Sequence, residues 1–297
     1  MNSCPLCLAD QGQELLTRLT EAGHSITSDS KFCDSLTGNC YSCSHCGHIY
    51  NHIRGSLEKF YVDQYSLLTN DILQDQLIFI GPEKTMARSL FQSNLLHKMV
   101  KLLPASEPLS ILEVGAGKGL TAKSFLDIAI QEPRQDIEYS LHEVSISKYK
   151  NFWEKINSHY SIVNRKKKYD FVASFFTLEH CEIKNIKTSY LDYVTDGGII
   201  MLTVPNLLSN AGDLLVIDHT SHFTPDNLSS LFDNLCGNQF SYSISDSVFP
   251  RSLVILLSKS IGEEKLSYML QSLDQHQSMT NQDLKLEKLL NDLSQSQ

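Results

Sequence analysis

The stretch Ile111–Phe125, "ILEVGAGKGLTAKSF", places Gly115, Gly117 and Gly119 directly after a short apolar run. An apolar strand, a glycine turn and a helical apolar period make a strand–turn–helix unit. A phosphate-binding loop needs a Lys-Ser/Thr pair after its second glycine, and Lys118 is not so placed. The dinucleotide fingerprint reads GxGxxG, whereas this turn reads GxGxG. The tighter spacing leaves the backbone close to a ligand that carries no pyrophosphate. Glu143, near the end of the second strand, then sits in reach of a ribose diol, whose two hydroxyls one carboxylate can accept together.

On either side of this unit the same alternation continues. Leu90, Leu95, Leu96, Met99, Val100 and Leu103 recur at helical spacing, which predicts an amphipathic helix over Arg88–Leu103, stopped by Pro104 and Pro108. "IEYSLHEV" is the second strand; "YDFVASFF" and "GGIIMLTV" are later buried strands. "PDNLSSLFDNL" is a helix with Pro225 in its first turn, and "FSYSISDSV" and "SLVILLSK" form a closing antiparallel pair. Continuous apolar strands alternating with helices specify an α/β class, with a mostly parallel, doubly wound sheet covered on both faces.

The chain has 297 residues, 41% hydrophobic and 20% charged, with a formal net charge of −9, the balance of an ordinary soluble globular protein. That acidity argues against a broad nucleic-acid footprint. No apolar stretch approaches the roughly 20 residues of a membrane helix. "MNSCPLC" lacks the layout of a secretory signal, so a cytoplasmic address is expected. Of the 8 cysteines, all but Cys181 and Cys236 crowd into the first 46 residues, which in a reducing compartment points to metal ligation rather than disulfides. Cys4-Pro5-Leu6-Cys7 is one knuckle; Cys43 and Cys46, followed by Gly47, are the second. Cys4, Cys7, Cys43 and Cys46 are the set chosen for a closed, structural Zn²⁺ site, with Cys33, Cys40, His45 and His48 standing close by.

"LEVGAGKG", "LHEVS", "YDFVASFFTLEH" and "GGIIMLTVPN", in that order, resemble the class I S-adenosylmethionine-dependent methyltransferases over roughly residues 85–260. The resemblance implies a Rossmann-like seven-stranded sheet. It implies that Glu113 and the Gly115, Ala116, Gly117 and Gly119 turn hold the methionine portion of the cofactor, and that Glu143 holds the ribose. Phe175, Phe176 and Leu178 would line the adenine and methyl surroundings. The family usually carries an acidic residue after the third strand for the adenine amino group; here the region is short and basic, Asn164 is the polar stand-in, and Arg165–Lys168 reads as a solvated loop.

The cysteine knuckle, the linker "SLEKFYVDQYSLL" and the late "VIDHTSHFTPDNL" are similar to the sugar C-methyltransferase group, which acts on nucleotide-linked deoxysugars and carries a zinc-binding N-terminal domain. By position, Asp218 and His219 match that group's acidic–His pair and His180 a histidine after the fourth strand. Asp218 is one methylene shorter than the expected Glu, and a short polar tail with a leucine period replaces a large C-terminal domain. The organisation expected is a zinc knuckle over 1–55, a helical linker over 56–105, the methyltransferase domain over 106–262 and a polar helix or tail over 263–297.

Methyl transfer to a carbon or a hydroxyl needs the acceptor's proton removed, and histidine titrates in the right range. His219 is the first choice of base and His180 the second, with Asp218 fixing the imidazole tautomer. His222 reads as a cap for the helix at Pro225, and Asp170 as structural. Tyr61 and Tyr65 either pack between knuckle and main domain or polarise a substrate oxygen. His24, His52, His97 and His159 read as surface residues. The expected acceptor is a small molecule, a sugar nucleotide or surface-polysaccharide precursor. A zinc-knuckle RNA methyltransferase is the competing reading, against which stand the acidity and "SFFTLEH" in place of an Asn-Pro-Pro-aromatic signature. A non-catalytic scaffold is the third, opposed by the intact glycine turn and Glu143.

Overall fold

The computed structural model describes residues 3–10, 12–17, 25–65, 75–81, 83–103, 108–129, 136–156, 160–164 and 166–275. The expectations for Pro104, Arg165, His24, His159 and the last 22 positions, 276–297, lie outside these residues.

The cysteine-rich front end folds as β1 (Gly12–Thr17), β2 (Ser25–Ile26), β3 (Phe32–Cys33), β4 (Thr37–Cys43) and β5 (Ile49–Arg54). Helix α1 (Leu57–Asp63) follows, opened by the Ser56 side chain, which accepts from the Lys59 N–H. Next comes a hairpin, β6 (Leu77–Gly81) and β7 (Lys84–Ala87), then α2 (Arg88–Leu102). The hairpin was not expected, because its alternation is hidden by apolar residues on both faces: Ile78 and Ile80 pack on the core while Leu77 and Phe79 are 67% and 70% exposed.

The main unit continues with β8 (Leu109–Val114), α3 (Leu120–Ala129), β9 (Ile137–His142), α4 (Ile146–Ile156), β10 (Tyr160–Ile162), β11 (Tyr169–Phe175), the short α5 (Ile186–Ser189) and β12 (Val194–Pro205). It is completed by β13 (Ser221–His222), α6 (Pro225–Cys236), β14 (Ser241–Ser245), β15 (Ser252–Ser258) and α7 (Glu263–Gln275). Seven strands pair in the order β10-β9-β8-β11-β12-β15-β14, and β15 alone runs against the rest. Successive residues of the strands feed opposite faces. Ile111, Phe171, Ile199 and Met201 join the core under α2, α3, α4 and α7; Leu112, Val172, Ile200 and Leu202 join the core under α5 and α6. Such runs are apolar throughout because both faces are covered. Among the described residues, no helix is long and apolar enough to cross a membrane.

Two boundaries differ from the expected organisation. The segment after 262 opens as helix α7, which packs inward where a polar surface helix or tail was expected: it buries Leu266, Met269, Leu270 and Leu273 in the first core, and its outer face, with Tyr268, is polar or exposed. Nor does the N-terminal unit close on itself. Its sheet runs β1-β4-β5-β13, and β13 comes from the loop after the fifth strand of the main sheet. Ser221 and His222 pair antiparallel with Tyr50 and Ile49. The Asn51 side-chain amide reaches the carbonyls of Val216, Ile217 and His219 at 3.0, 3.3 and 2.6 Å. One loop therefore belongs to both sheets.

Leu266→Ala is expected to destabilise the fold by about 2–5 kcal/mol in chemical denaturation, the usual cost of a large-to-small change in a packed core. A stability indistinguishable from that of the unsubstituted chain would show that α7 is a detachable tail.

Candidate active site

The carboxyl ends of β8, β9, β11 and β12, the loop before β13 and the start of α2 enclose a cavity of about 690 Å³. That is within the roughly 300–1,000 Å³ of ordinary ligand pockets. An open sheet of this winding leaves its crevice on that edge, where strand order reverses.

One wall is the glycine turn. Gly115, Gly117 and Gly119 have φ of +76°, +50° and +75°. At Gly115 the requirement is double, since a Cβ would lie 2.0 Å from the Thr177 hydroxyl oxygen. The Gly115 and Ala116 N–H groups donate to the His142 carbonyl at 2.9 and 3.1 Å, which folds the turn back over β9. Gly119 only closes the turn, donating to the Ala116 carbonyl at 2.8 Å, and does not line the cavity. Glu143 accepts from the Gly117 N–H and the Ser145 N–H, both at 3.1 Å. Burial pushes its carboxyl up, against these bonds and the Lys148 charge. Glu113 lies beneath, buried, accepting from the Tyr139 hydroxyl at 2.9 Å; burial pushes it up to about 7.

The aromatic wall is only partly the one expected. Phe175 and Phe176 line the cavity, Phe176 at φ +55° with its ring edge-on to Phe249 at 5.2 Å. The Arg88 guanidinium lies 5.3 Å from the Phe176 ring centroid. Leu178 instead turns away into the second core, because the 3₁₀ turn at Leu178–His180, with three residues per turn, aims it to one side while Glu179 and His180 line the cavity. Asn164 is no stand-in for an adenine partner either. Its Oδ1 accepts from the Lys166 N–H at 3.0 Å and closes its own loop away from the cavity. The bare apolar side chain at the rim is Val144, 68% exposed.

The opposite wall is a buried polar cluster. Asp213, in the 3₁₀ turn Ala211–Leu215, holds Nδ1 of His219 at 2.7 Å with one carboxylate oxygen and Nδ1 of His222 at 2.6 Å with the other. Burial works to raise Asp213, but the two histidine bonds overcome it and hold the group well below the usual carboxylate range. Burial likewise works to lower His219, and the Asp213 bond and charge win, so its imidazole is pushed above 6.5. The His180 and His219 rings meet edge to face, centroids 4.6 Å apart. His180 is lowered to about 4 by burial and by that neighbour, against Asp218. Its Nδ1 lies 2.7 Å from the Tyr61 hydroxyl, which itself donates to Asp218 Oδ2 at 3.0 Å. The neutral His180 therefore carries its proton on Nδ1.

Several expectations are corrected here. The carboxylate that orients His219 is Asp213, not Asp218. Asp218 sits in the turn just before His219 and is carried the other way, to Ser28, whose N–H and hydroxyl donate at 2.7 and 2.6 Å, and to Tyr61. His222 does not cap α6; Thr224 does, in a reciprocal box with Asn227. Tyr61, rather than Tyr65, touches the histidines. Tyr65 lines the cavity with its hydroxyl on Ser28, pushed up by burial, while its carbonyl and that of Tyr61 accept from Lys148 Nζ at 2.6 and 2.9 Å. Asp170 accepts from the Ser110 N–H and hydroxyl away from the cavity. His52 is exposed, but His97 is half-buried against Phe125. Asp213, Glu179 and Arg88, all cavity-lining, carried no mark in the sequence.

The four chosen cysteines converge. The Sγ atoms of Cys4, Cys7, Cys43 and Cys46 all lie within 4.8 Å of one another, with Cys4–Cys46 at 3.6 Å and Cys7–Cys43 at 3.5 Å. A tetrahedral cation with sulfur bonds of about 2.3 Å sets edges near 3.8 Å, so the residues fit such an ion. Backbone N–H groups of Leu6 and Cys7 turn to Cys4, and those of His45 and Cys46 turn to Cys43. Cys33 instead meets Ser35 at 3.2 Å, and His48 Nε2 meets the Ser221 hydroxyl at 3.2 Å.

A family described as a methyltransferase domain matches residues 86–235, just over half of the chain, which therefore belongs to that family. The protein is a methyltransferase. Among solved structures, the plantazolicin methyltransferase BpumL in complex with S-adenosylhomocysteine is 15% identical, with 59% of this chain and 86% of that one covered at a TM-score of 0.48. The pyocyanin biosynthetic protein PhzM is 13% identical over 57% of this chain and 55% of that one, at a TM-score of 0.40. These likenesses are distant and add nothing to the argument. No curated protein matches the chain.

Proposed function

We propose that the protein methylates a carbon or oxygen of a small-molecule acceptor, a nucleotide-linked sugar or surface-polysaccharide precursor, with His219 taking up the acceptor's proton. The observation that carries this reading is the 2.7 Å bond from His219 Nδ1–H to the buried Asp213 carboxylate. It fixes the tautomer, leaves Nε2 as the basic atom and stabilises the imidazolium that forms. His219 lines the same cavity as the glycine turn, so base and cofactor wall share one space.

When bound, S-adenosylmethionine supplies an activated methyl group and its own leaving group. The buried Glu113 carboxyl and the Gly115, Ala116 and Gly117 backbone are assigned to its methionine portion, Glu143 to the ribose hydroxyls, and Phe175 and Phe176 to the methyl surroundings. Glu143 already spends one lone pair on each of two N–H groups, which orients the remaining pairs toward the cavity. Tyr61 and Asp218 hold His180 in one tautomer, so its Nε2 offers an acceptor rather than a second proton donor. A cleft of about 690 Å³ suits a small acceptor better than a folded RNA, as does the net charge of −9.

The cysteine quartet is assigned to one structural Zn²⁺. All four positions come from the protein, so the ion takes no part in chemistry. Metal analysis of the purified chain is expected to return one zinc, lost on Cys43→Ser; full retention in that variant would remove the assignment.

A panel of nucleotide sugars incubated with an isotopically labelled methyl donor and read by mass spectrometry is expected to give a labelled product. His219→Asn should lower turnover by about 10²–10⁴-fold, the usual contribution of a general base. The base must be neutral to act, and the Asp213 bond and charge hold its pKa above that of an ordinary imidazole, so the rate rises as pH passes upward through that raised pKa. Asp213→Asn removes the carboxylate that raises His219, so the acid limb should move to lower pH while the maximal rate falls. An unmoved limb, or near-normal turnover in His219→Asn, would discard the assignment.

A further inference from the structure

Glu179 stands in the 3₁₀ turn after β11 and is one of the residues lining the cavity, at 1% exposure. Its Oε2 is buried with no hydrogen-bond partner among the described residues. Leaving a buried polar atom unpaired costs about 1–3 kcal/mol, so it marks either strain or a missing ligand. Strain is not the reason here, because the main chain is well held. The Glu179 carbonyl accepts from the Thr220 N–H at 2.7 Å and from the Thr220 hydroxyl at 3.0 Å. Those bonds tie the turn to the residue beside His219. Ring nitrogens of His180 and His219 and a carboxyl oxygen of Glu179 then lie within 4.8 Å of one another at the cavity wall.

We propose that Glu179 is a further catalytic residue, a neutral carboxyl that donates a hydrogen bond to an oxygen of the acceptor next to the atom His219 deprotonates. The proposal rests on the reading of His219 as base. The groups facing Glu179 are His219, Asp213 and Arg88, with Tyr61, Cys181 and Tyr190 behind, and His180 beside it. Burial pushes the carboxyl up to about 8, with Asp213 adding to the rise and His219 and Arg88 opposing it. Below that pH the group is an O–H donor. A carboxyl kept neutral by its surroundings is an established way to stabilise a developing oxyanion.

For an acceptor carbon beside a carbonyl, the C–H bond breaks and its proton passes to Nε2 of His219. The electron pair moves onto the carbonyl oxygen, where the Glu179 O–H meets it. The same pair then returns to form the new C–CH₃ bond, while the S–CH₃ bond breaks and its electrons stay on sulfur as a neutral thioether. The His219 proton finally leaves to solvent. Glu179 keeps its proton throughout, so the step balances without a co-reactant.

The test compares Glu179→Gln, which still donates, with Glu179→Ala, which does not; S-adenosylhomocysteine calorimetry confirms that each variant is folded. Infrared difference spectra of the unsubstituted chain against Glu179→Gln, at pH 6.5 and 9.5, should show an un-ionised carboxyl band at the lower pH only, whereas an ordinary Glu, with a pKa of about 4.3, would show none at either. With the panel member that accepts a methyl group, Glu179→Gln should keep kcat within about 10-fold and lose the alkaline limb near 8. Glu179→Ala should lose about 10²-fold or more in kcat with a smaller change in KM. Three results would overturn the proposal: no carboxyl band at pH 6.5, Glu179→Gln as inactive as Glu179→Ala, or Mn²⁺ binding by paramagnetic resonance that Glu179→Gln abolishes, which would make Glu179 a metal ligand. If no panel member is methylated, the acceptor reading fails while the infrared result still decides the state of Glu179.

Discussion

Two residues added to the edge of a small sheet determine where the chemistry sits. Ser221 and His222 pair with Tyr50 and Ile49 of the cysteine-rich unit, and the Asn51 amide gathers three carbonyls of the same loop. Each such bond is worth only about 1 kcal/mol net, yet an unmade one would cost more. Together with the Ile217–Ile26, Asp218–Ser28 and Thr220–Glu179 bonds, they fix the path of the segment from Asp213 to His222 along the carboxyl edge of the main sheet. The cysteine unit is thus one wall of the active site, although it donates no reacting group.

The loop so placed carries Asp213, Asp218, His219 and His222, all buried. Burying charges is expensive unless each finds a partner. The solution is one carboxylate shared between two imidazoles, and a second shared between Ser28 and Tyr61, which in turn holds His180. Raised His219, lowered His180 and raised Glu179 follow from the same crowding. Their values are pushed apart, which is how neighbouring groups acquire different acid–base roles. Glu179, with its unpaired oxygen, is the one member whose partner must come from outside.

The glycine turn, the apolar strands and the paired cysteines were legible because local rules dictate them. Positive φ demands glycine at 115, two covered faces demand unbroken apolar strands, and a two-residue spacing lets both thiolates of a pair face one ion. What was not legible is non-local. Asp213 is an ordinary loop carboxylate until the 3₁₀ turn swings it between His219 and His222. Leu178 shares an apolar run with Phe175 and Phe176, and only the turn after β11 sends it to the other side of the sheet. Helix α7 looked polar because a single leucine stripe is all it needs to cover one end of the core. Asp218 does hold an imidazole, but it is that of His180 through Tyr61 and not that of its sequence neighbour His219, because a turn separates the directions of the two side chains.

The claim that the two sheets jointly build the catalytic edge is tested most directly by amide hydrogen exchange in Asn51→Ala. Loss of the side-chain clamp should speed exchange across Val216–His222 by about tenfold or more while Leu109–Val114 in the main sheet keeps its protection. Unchanged exchange in the loop would contradict the claim, and so would an equal loss of protection in both segments.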